Sequence, residues 1–341
     1  ERFGQSFEIE DSEHVIQPFF QYSRCVGRRK ALLVGINYTG TNHPLKGCIN
    51  DVKNMHKFIC DRFAYAKENI VVLTDDTHDA ALFPTKANIV KYMHWLVEDA
   101  GYDDALYFHY SGHGTQVQDR APDESDDADE AICPFDFETA GMLRDDESDH
   151  ELLVKPLPAG ARLTAIFDSC HSGSIMDIPY VYNPEKPPKE PVMSPAGDKS
   201  WLSQGIKHNR KLIQQIADLL AAATKPAPPG PALLRAANLM AATGSSPADV
   251  ICWSGCLDDQ KATDTFLNGH AVGAMSYAFI TAMNQNPTQS YMELLKAIRA
   301  ILKDRYTQTV QLSSSHRECS GIRKGCEADR AAINTDLEFI A

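Results

Sequence analysis

RLTAIFDSCHSG, Arg162–Gly173, decides the fold: an apolar run of strand composition stops abruptly at a small polar cluster that contains a cysteine. Side chains alternate across a strand, so Asp168 and Cys170 leave one side and Ser169 the other. Upstream, ALYFHYSGHG (Ala105–Gly114) repeats the design, with Ser111 and His113 of matching parity. In open α/β sheets, ligands bind outside the carboxyl ends of the strands. Two neighbouring ends of this kind would bring His113 and Cys170 together across one crevice.

Outward from these two runs the chain alternates. Lys30–Ile36 (KALLVGI) reads as a buried strand, Asn37–Leu45 as a loop, and Val52, Met55 and Ile59 recur at helical spacing, with Cys48 and Asp51 at that helix's entrance. Asn69–Thr74 is the next strand. Thr85 then reads as the N-cap of a helix bearing Ile89, Tyr92, Met93 and Leu96. After the His113 strand comes an acidic loop, Asp119 to about Asp149, and then the Cys170 strand. This β-α-β-α-β-loop-β order predicts a mainly parallel sheet with helices on both faces. Pro179–Pro195 contains six prolines and cannot form a regular element, so it reads as a linker; a helix through Leu212–Leu220 and a second proline-rich break, Lys225–Pro231, follow. Ala236–Thr243 is a strand candidate. Two late helices are expected, one over Met275–Met283 and one opened by Ser290 and Glu293 at capping-box spacing. The organisation is a lead-in (1–29), a large portion (30–178), a linker with a helix (179–231) and a small portion of the same domain (232–341).

Composition narrows the function. With 43% hydrophobic and 23% charged residues the chain is ordinary for a globular protein, and no apolar run is long enough to predict a membrane span. A net charge of −13, with acid concentrated between Asp123 and Asp149, argues against nucleic acid and for cations or basic peptides. Nine cysteines with no signal peptide ahead of them read as reduced thiols, which sets a cytoplasmic expectation with the nucleus left open.

A thiol attacks carbonyls as the thiolate, and a neighbouring imidazole can take its proton and later protonate the leaving amine. His113 and Cys170 suit those roles because both stand at strand ends in small-residue clusters, where exposure is possible; the ordinary alternative is a buried, inert pair. The N–H groups of Gly114 and Cys170 could form an oxyanion hole. His109 reads as a core residue, Cys133 as a packed thiol, and no zinc framework emerges.

Together HYSGHG (His109–Gly114) and DSCHSG (Asp168–Gly173), with GRRKALLVGINY at Gly27, LKGCINDV at Leu45, ICPFD at Ile132 and SGCLDDQKATDT at Ser254, resemble type I metacaspases, caspase-like cysteine peptidases of fungi, plants and protists. The resemblance covers about residues 17–178 and 232–315. It implies the caspase-type α/β/α sandwich, a His113–Cys170 dyad and cleavage of protein or peptide substrates after Arg or Lys. It also implies a monomer, and a primary specificity pocket lined by Cys48, Asp51, Ser111 and Asp168. A cationic side chain needs a fixed carboxylate there, since burying it unpaired is too costly. Asp51 remains open to being only a first-turn helix acid, and Asp168 to orienting the histidine.

Matching the family's motifs residue by residue gives Asp129, Asp145, Asp146 and Asp177 as ligands of an activating Ca2+. The ordinary alternative is a solvated acidic face; converging carboxylates, however, repel one another without a cation. Caspase-like peptidases are often cut between their large and small portions. Lys186, Lys189, Lys199, Lys207, Arg210, Lys211 and Lys225 accordingly make residues 179–231 a candidate self-processing region. The competing class is a non-proteolytic, calcium-responsive interaction or quality-control factor on the same fold.

Overall fold

The computed structural model describes residues 22–118, 128–170, 175–178, 180–182, 192–193, 246–255, 264–267, 270–303 and 308–316. Its first run is β1 (Arg29–Gly35), α1 (Cys48–Phe63), β2 (Ile70–Thr74), α2 (Lys86–Val97) and β3 (Ala105–Ser111). Next come β4 (Gly114–Gln118), β5 (Ala128–Ile132), one-turn α3 (Phe137–Ala140), β6 (Leu143–Arg144), a ten-residue π-type helical segment (Asp145–Val154) and β7 (Arg162–Asp168). The remaining elements are β8 (Tyr180–Tyr182), β9 (Val192–Met193), β10 (Asp249–Ser254), β11 (Asp264–Leu267), β12 (His270–Gly273), α4 (Ala274–Gln285), α5 (Tyr291–Lys303) and β13 (Gln311–Ser314).

One eight-stranded sheet runs through the molecule in the order β2-β1-β3-β7-β10-β13-β8-β9. The first five strands are parallel; β13 runs antiparallel to β10, β8 to β13 and β9 to β8. The parallel strands are apolar on both faces because helices cover both. On one face Leu32, Val34, Phe108, Ala165 and Val250 meet Ile89, Met93 and Leu96 of α2 and Leu153 and Val154. On the other, Ala31, Leu33, Tyr107, Ile166 and Trp253 meet Met55 and Ile59 of α1, Phe279 of α4 and Leu295 of α5. This is the expected α/β/α sandwich with a mainly parallel centre. Strand β10 lies against β7 over Asp249–Ser254 and Arg162–Phe167, so the large and small portions share one sheet.

Local chemistry sets the helix ends. Thr85 is the N-cap of α2, its hydroxyl accepting the Asn88 N–H at 3.3 Å. Before α5, Ser290 N–H donates to Glu293 Oε2 at 2.9 Å and Glu293 N–H to Ser290 Oγ at 3.2 Å, the reciprocal capping box.

Four expectations change. The acidic stretch is not simply a loop: β5 pairs with β4 and β6 in a separate three-stranded sheet, because β4 supplies the ladder that an acid-rich sequence does not advertise. The His113 strand ends at Ser111, and Gly114 opens β4 instead. Strands β10 and β13 were not anticipated. Pro179–Pro195, expected to form no regular element, supplies β8 and β9, because Tyr180–Tyr182 and Val192–Met193 carry no proline and pair at the β13 edge of the sheet. The Ala236–Thr243 strand candidate, the Leu212–Leu220 helix and the rest of the proline-rich linker lie outside the described residues.

Candidate active site

In the parallel pairing of β3 with β7, Ser111 stands opposite Asp168, and both strands stop there. His113 and Cys170 each follow two residues later, so the two turns leave the sheet side by side. Gly112 N–H reaches back to the Asp168 carbonyl at 3.4 Å. A side chain on Gly114 would begin 2.1 Å from the Cys170 carbonyl oxygen, so only glycine lets these turns touch. Cys170 is half-buried and retains a route to solvent, whereas neighbouring Ser169 is fully buried.

His113 is held from several directions. Its Nε2 lies 2.8 Å from the His43 carbonyl oxygen. A carbonyl only accepts, so Nε2 carries the hydrogen and the neutral ring keeps its lone pair on Nδ1. This gives a backbone oxygen of the β1–α1 loop an orienting place on the ring. The imidazole packs on the Tyr38 ring at 4.6 Å between centroids. Its main-chain N–H donates to Tyr38 Oη at 3.0 Å, and its carbonyl accepts from Tyr110 Oη at 2.8 Å and from the Cys133 N–H at 3.0 Å. Burial pushes the Cys133 thiol up to about 12, with Cys170 nearby adding to the rise, so Cys133 stays a protonated, packed thiol.

Beneath the dyad two carboxylates converge. Asp51, one turn into α1, accepts the Gly273 N–H at 2.8 Å on Oδ1 and the Ser111 hydroxyl at 2.8 Å on Oδ2. Asp168 Oδ2 accepts the Ser276 N–H at 2.7 Å, from the first turn of α4. A side chain on Gly273 would begin 2.3 Å from Asp168 Oδ2 and 2.6 Å from Asp51 Oδ2, so both oxygens crowd one point. Both residues are almost wholly buried. Asp51 is therefore more than a first-turn helix acid. Cys48, buried, precedes it by one turn on α1.

The four candidate calcium ligands are placed at the level of the backbone. Asp129 lies in β5, Asp145 and Asp146 open the segment after β6, and Asp177 is exposed with a left-handed backbone at φ 47°. His150 Nδ1, 3.1 Å from the Met176 carbonyl, ties the same segment to the residue before Asp177. The side chains of Asp129, Asp145 and Asp146 lie outside the described residues, as do Asp123, Glu124, Asp126 and Asp127. Among the described residues no cluster of three metal-binding side chains forms.

Sequence reasoning named His113, Cys170, Cys48, Ser111, Asp51 and Asp168; the structure adds Tyr38, the His43 carbonyl, Gly273 and Ser276 around them. The available signal was the polar NYTGTNHP stretch directly after β1, at the carboxyl end of a strand.

A half-buried thiol and a hydrogen-bonded imidazole on adjoining strand ends of this sheet define a cysteine peptidase of the caspase fold. A family model described as "Metacaspase, peptidase C14 domain" matches residues 29–179. Metacaspase-1 of Emericella nidulans is 51% identical over 297 residues, 87% of this chain and 72% of that protein. Metacaspase-1 of Ajellomyces capsulatus is 50% identical over 94% of this chain and 85% of its own length. For Metacaspase-1 of Cryptococcus neoformans the identity is 48%, and the chain spans 65% of that protein's length. The chain belongs to the metacaspase family. A crystal structure of a Geobacter sulfurreducens protein shares the fold at 24% identity, with a TM-score of 0.51 over 84% of this chain and 93% of that one.

Proposed function

We propose that this chain is a calcium-dependent endopeptidase that cuts after Arg or Lys. Cys170 is the nucleophile and His113 the general acid and base. The imidazole, its Nε2–H spent on the His43 carbonyl, takes the thiol proton on Nδ1. The sulfur adds to the peptide carbonyl, and the N–H groups of Gly114 and Cys170 receive the negative oxygen. The imidazolium then protonates the departing amine. Water, activated by the same ring, hydrolyses the thioester and restores the thiol.

The observation that carries the Arg/Lys reading is the convergence of Asp51 and Asp168 at Gly273, joined by the Ser111 hydroxyl. Cys48 completes the wall. A bound guanidinium would answer both charges in planar geometry. Fluorogenic peptides ending in Arg, Lys or Asp, assayed with and without calcium, test this: Arg and Lys should be cut and Asp should not. Preferential cleavage after Asp would refute it.

Calcium would be held by Asp129, Asp145, Asp146 and Asp177, supplying charge neutralisation that orders the chain beyond Cys170. Replacing Asp145 and Asp146 by Asn should abolish the calcium response; an unaltered response would remove the site. Self-processing within residues 179–231, outside the described residues, belongs to the same proposal: intact mass after calcium addition should show fragments that Cys170→Ala does not. So does a monomeric state. Strands β8 and β9 lie beyond β13 on the sheet and cover the edge it would otherwise offer a second copy. A cytoplasmic or nuclear location accords with Cys25, Cys60 and Cys133 being free thiols. Among the described residues no helix is long and apolar enough to cross a membrane.

A further inference from the structure

We propose that Tyr38 is a positioning residue for the catalytic histidine, working with Tyr110; the proposal rests on the reading of His113 as general base. The peptide groups on either side of the His113 Cα are tied to these two phenols. His113 N–H donates to Tyr38 Oη at 3.0 Å, and Tyr110 O–H donates to the His113 carbonyl at 2.8 Å. Tyr38 O–H is itself donated to the Cys133 carbonyl at 2.5 Å, and the Cys133 N–H returns to the His113 carbonyl at 3.0 Å. Tyr110 Oη also lies 3.1 Å from the Cys133 carbonyl and accepts the Cys133 N–H at 3.2 Å, so the two phenols, their oxygens 3.1 Å apart, close a ring with His113 and Cys133.

Three further observations point the same way. Tyr38 and Tyr110 are both wholly buried, and burial holds both phenols well above their usual pKa, so they remain donors across the working range. A side chain on Gly112 would begin 2.6 Å from Tyr110 Oη and 3.1 Å from Tyr38 Oη, so the glycine before His113 is needed to admit the two hydroxyls. Tyr38 also governs the opposite edge of the imidazole. Its carbonyl accepts from Thr41 N–H at 3.1 Å and Thr41 Oγ1 at 2.8 Å, and Thr41 Oγ1 accepts the His43 N–H at 3.1 Å. That turn sets the His43 carbonyl against Nε2. Tyr38 has a left-handed backbone at φ 50°, costly for an aromatic residue, and Asp75 holds it by accepting the N–H groups of Asn37 at 2.8 Å and Thr39 at 2.9 Å. One residue thus fixes the backbone, the ring face and, through the turn, the tautomer of His113.

The test uses the full chain with Tyr38→Phe, Tyr110→Phe and, as the reference for losing the base, His113→Ala. Alkylation of Cys170 by iodoacetamide is followed by peptide mass from about pH 5 to 9, a readout of thiolate formation that needs no substrate recognition. On an Arg-ended peptide, Tyr38→Phe should lower kcat about tenfold to a hundredfold with KM within about twofold, as expected of a misaligned base. Its alkylation profile should move towards that of His113→Ala. Tyr110→Phe, which leaves the His113 carbonyl its Cys133 donor, should move the same way by less, and it carries the test if Tyr38→Phe fails to fold. A folded Tyr38→Phe with wild-type kcat overturns the proposal. So does one whose kcat falls while its alkylation profile stays wild-type, since the loss would then not act through His113. If His113→Ala alkylates as wild type does, the general-base reading falls first and this proposal with it.

Discussion

Replacing Gly114 with Ala separates chemistry from binding in this site. The added methyl would begin 2.1 Å from the Cys170 carbonyl oxygen and 3.2 Å from both the Cys170 carbonyl carbon and Ser169 Cβ, where ordinary contact starts at 3.4 Å. The nearest atom is backbone, so no rotamer relieves the clash. The two turns must separate, by about 1 Å on the shortest contact, and a misplacement of that size costs on the order of a hundredfold in rate. Because the displaced groups are the thiol carrier and a proposed oxyanion donor, the loss belongs in kcat. The Asp51–Asp168 pair is anchored on α1 and β7 and is left in place, so KM should stay within about twofold. Stability should fall by only about 1–3 kcal/mol, the usual range for overpacking. Steady-state kinetics on an Arg-ended peptide, with urea unfolding alongside, measures all three. A Gly114→Ala chain with kcat within twofold of wild type would refute the account of how these strand ends are joined.

Other expectations follow from the same geometry. Gly273→Ala places a methyl 2.3 Å from Asp168 Oδ2 and 2.6 Å from Asp51 Oδ2, so KM for an Arg peptide should rise at least about tenfold while iodoacetamide labelling of Cys170 stays unchanged; unaltered KM would mean the pocket lies elsewhere. Asp249 pairs with Arg162, both almost wholly buried, and Arg162 also donates to Tyr291 Oη at 2.6 Å. Asp249→Ala should therefore cost about 3–5 kcal/mol in urea unfolding by stranding the guanidinium, and a loss under about 1 kcal/mol would contradict it. Burial lowers His109 to about 3 and His316 to about 4, so between those values and the usual imidazole range the unfolded chain binds protons the folded one refuses. Their stabilising contribution is complete above about pH 6.5 and is lost as pH falls, at up to about 1.4 kcal/mol per pH unit for each ring. His109→Gln should flatten the slope between about pH 6 and 5 accordingly; an unchanged slope would mean that His109 does not resist protonation in the folded state.

What the sequence disclosed depended on whether a residue's role is local. Strand parity alone matched Ser111 with His113 and Asp168 with Cys170, and the pairing of Ser111 with Asp168 carries that match across the sheet. Thr85 and the Ser290–Glu293 box were legible because a cap needs only three residues of chain. Gly273 was not: its N–H meets Asp51 across 222 positions, and nothing in TFLNGHAVG announces an anion partner. The His43 carbonyl was beyond reach for a different reason, since a backbone acceptor leaves no signature in side-chain chemistry. Strand β5 was hidden by its own acids. Its sequence, ADEAI, pairs only because β4 and β6 flank it. Strand β13, QLSS, has one large apolar residue, and its place is given by antiparallel neighbours on both sides.

The long-range bonds also explain why the pocket cannot exist in the large portion alone. Both carboxylates belong to that portion, Asp51 on α1 and Asp168 on β7, but their backbone donors, Gly273 and Ser276, belong to the small one. Without α4 in place, two buried anions would lose the N–H groups opposing their charge, and α1 and the end of β7 could not stay packed around them. Docking is secured from the far end of the same strands, where Arg162 on β7 meets Asp249 on β10, and along the parallel ladder between them. Those contacts are all made by residues outside 194–245, so a cut in that stretch would remove chain connectivity without removing any residue of the parallel ladder, the ion pair or the Gly273 and Ser276 donors. The arrangement of Asp51 and Asp168 is in this way made a consequence of completing the sheet, and it exists only in a molecule whose two portions have already met.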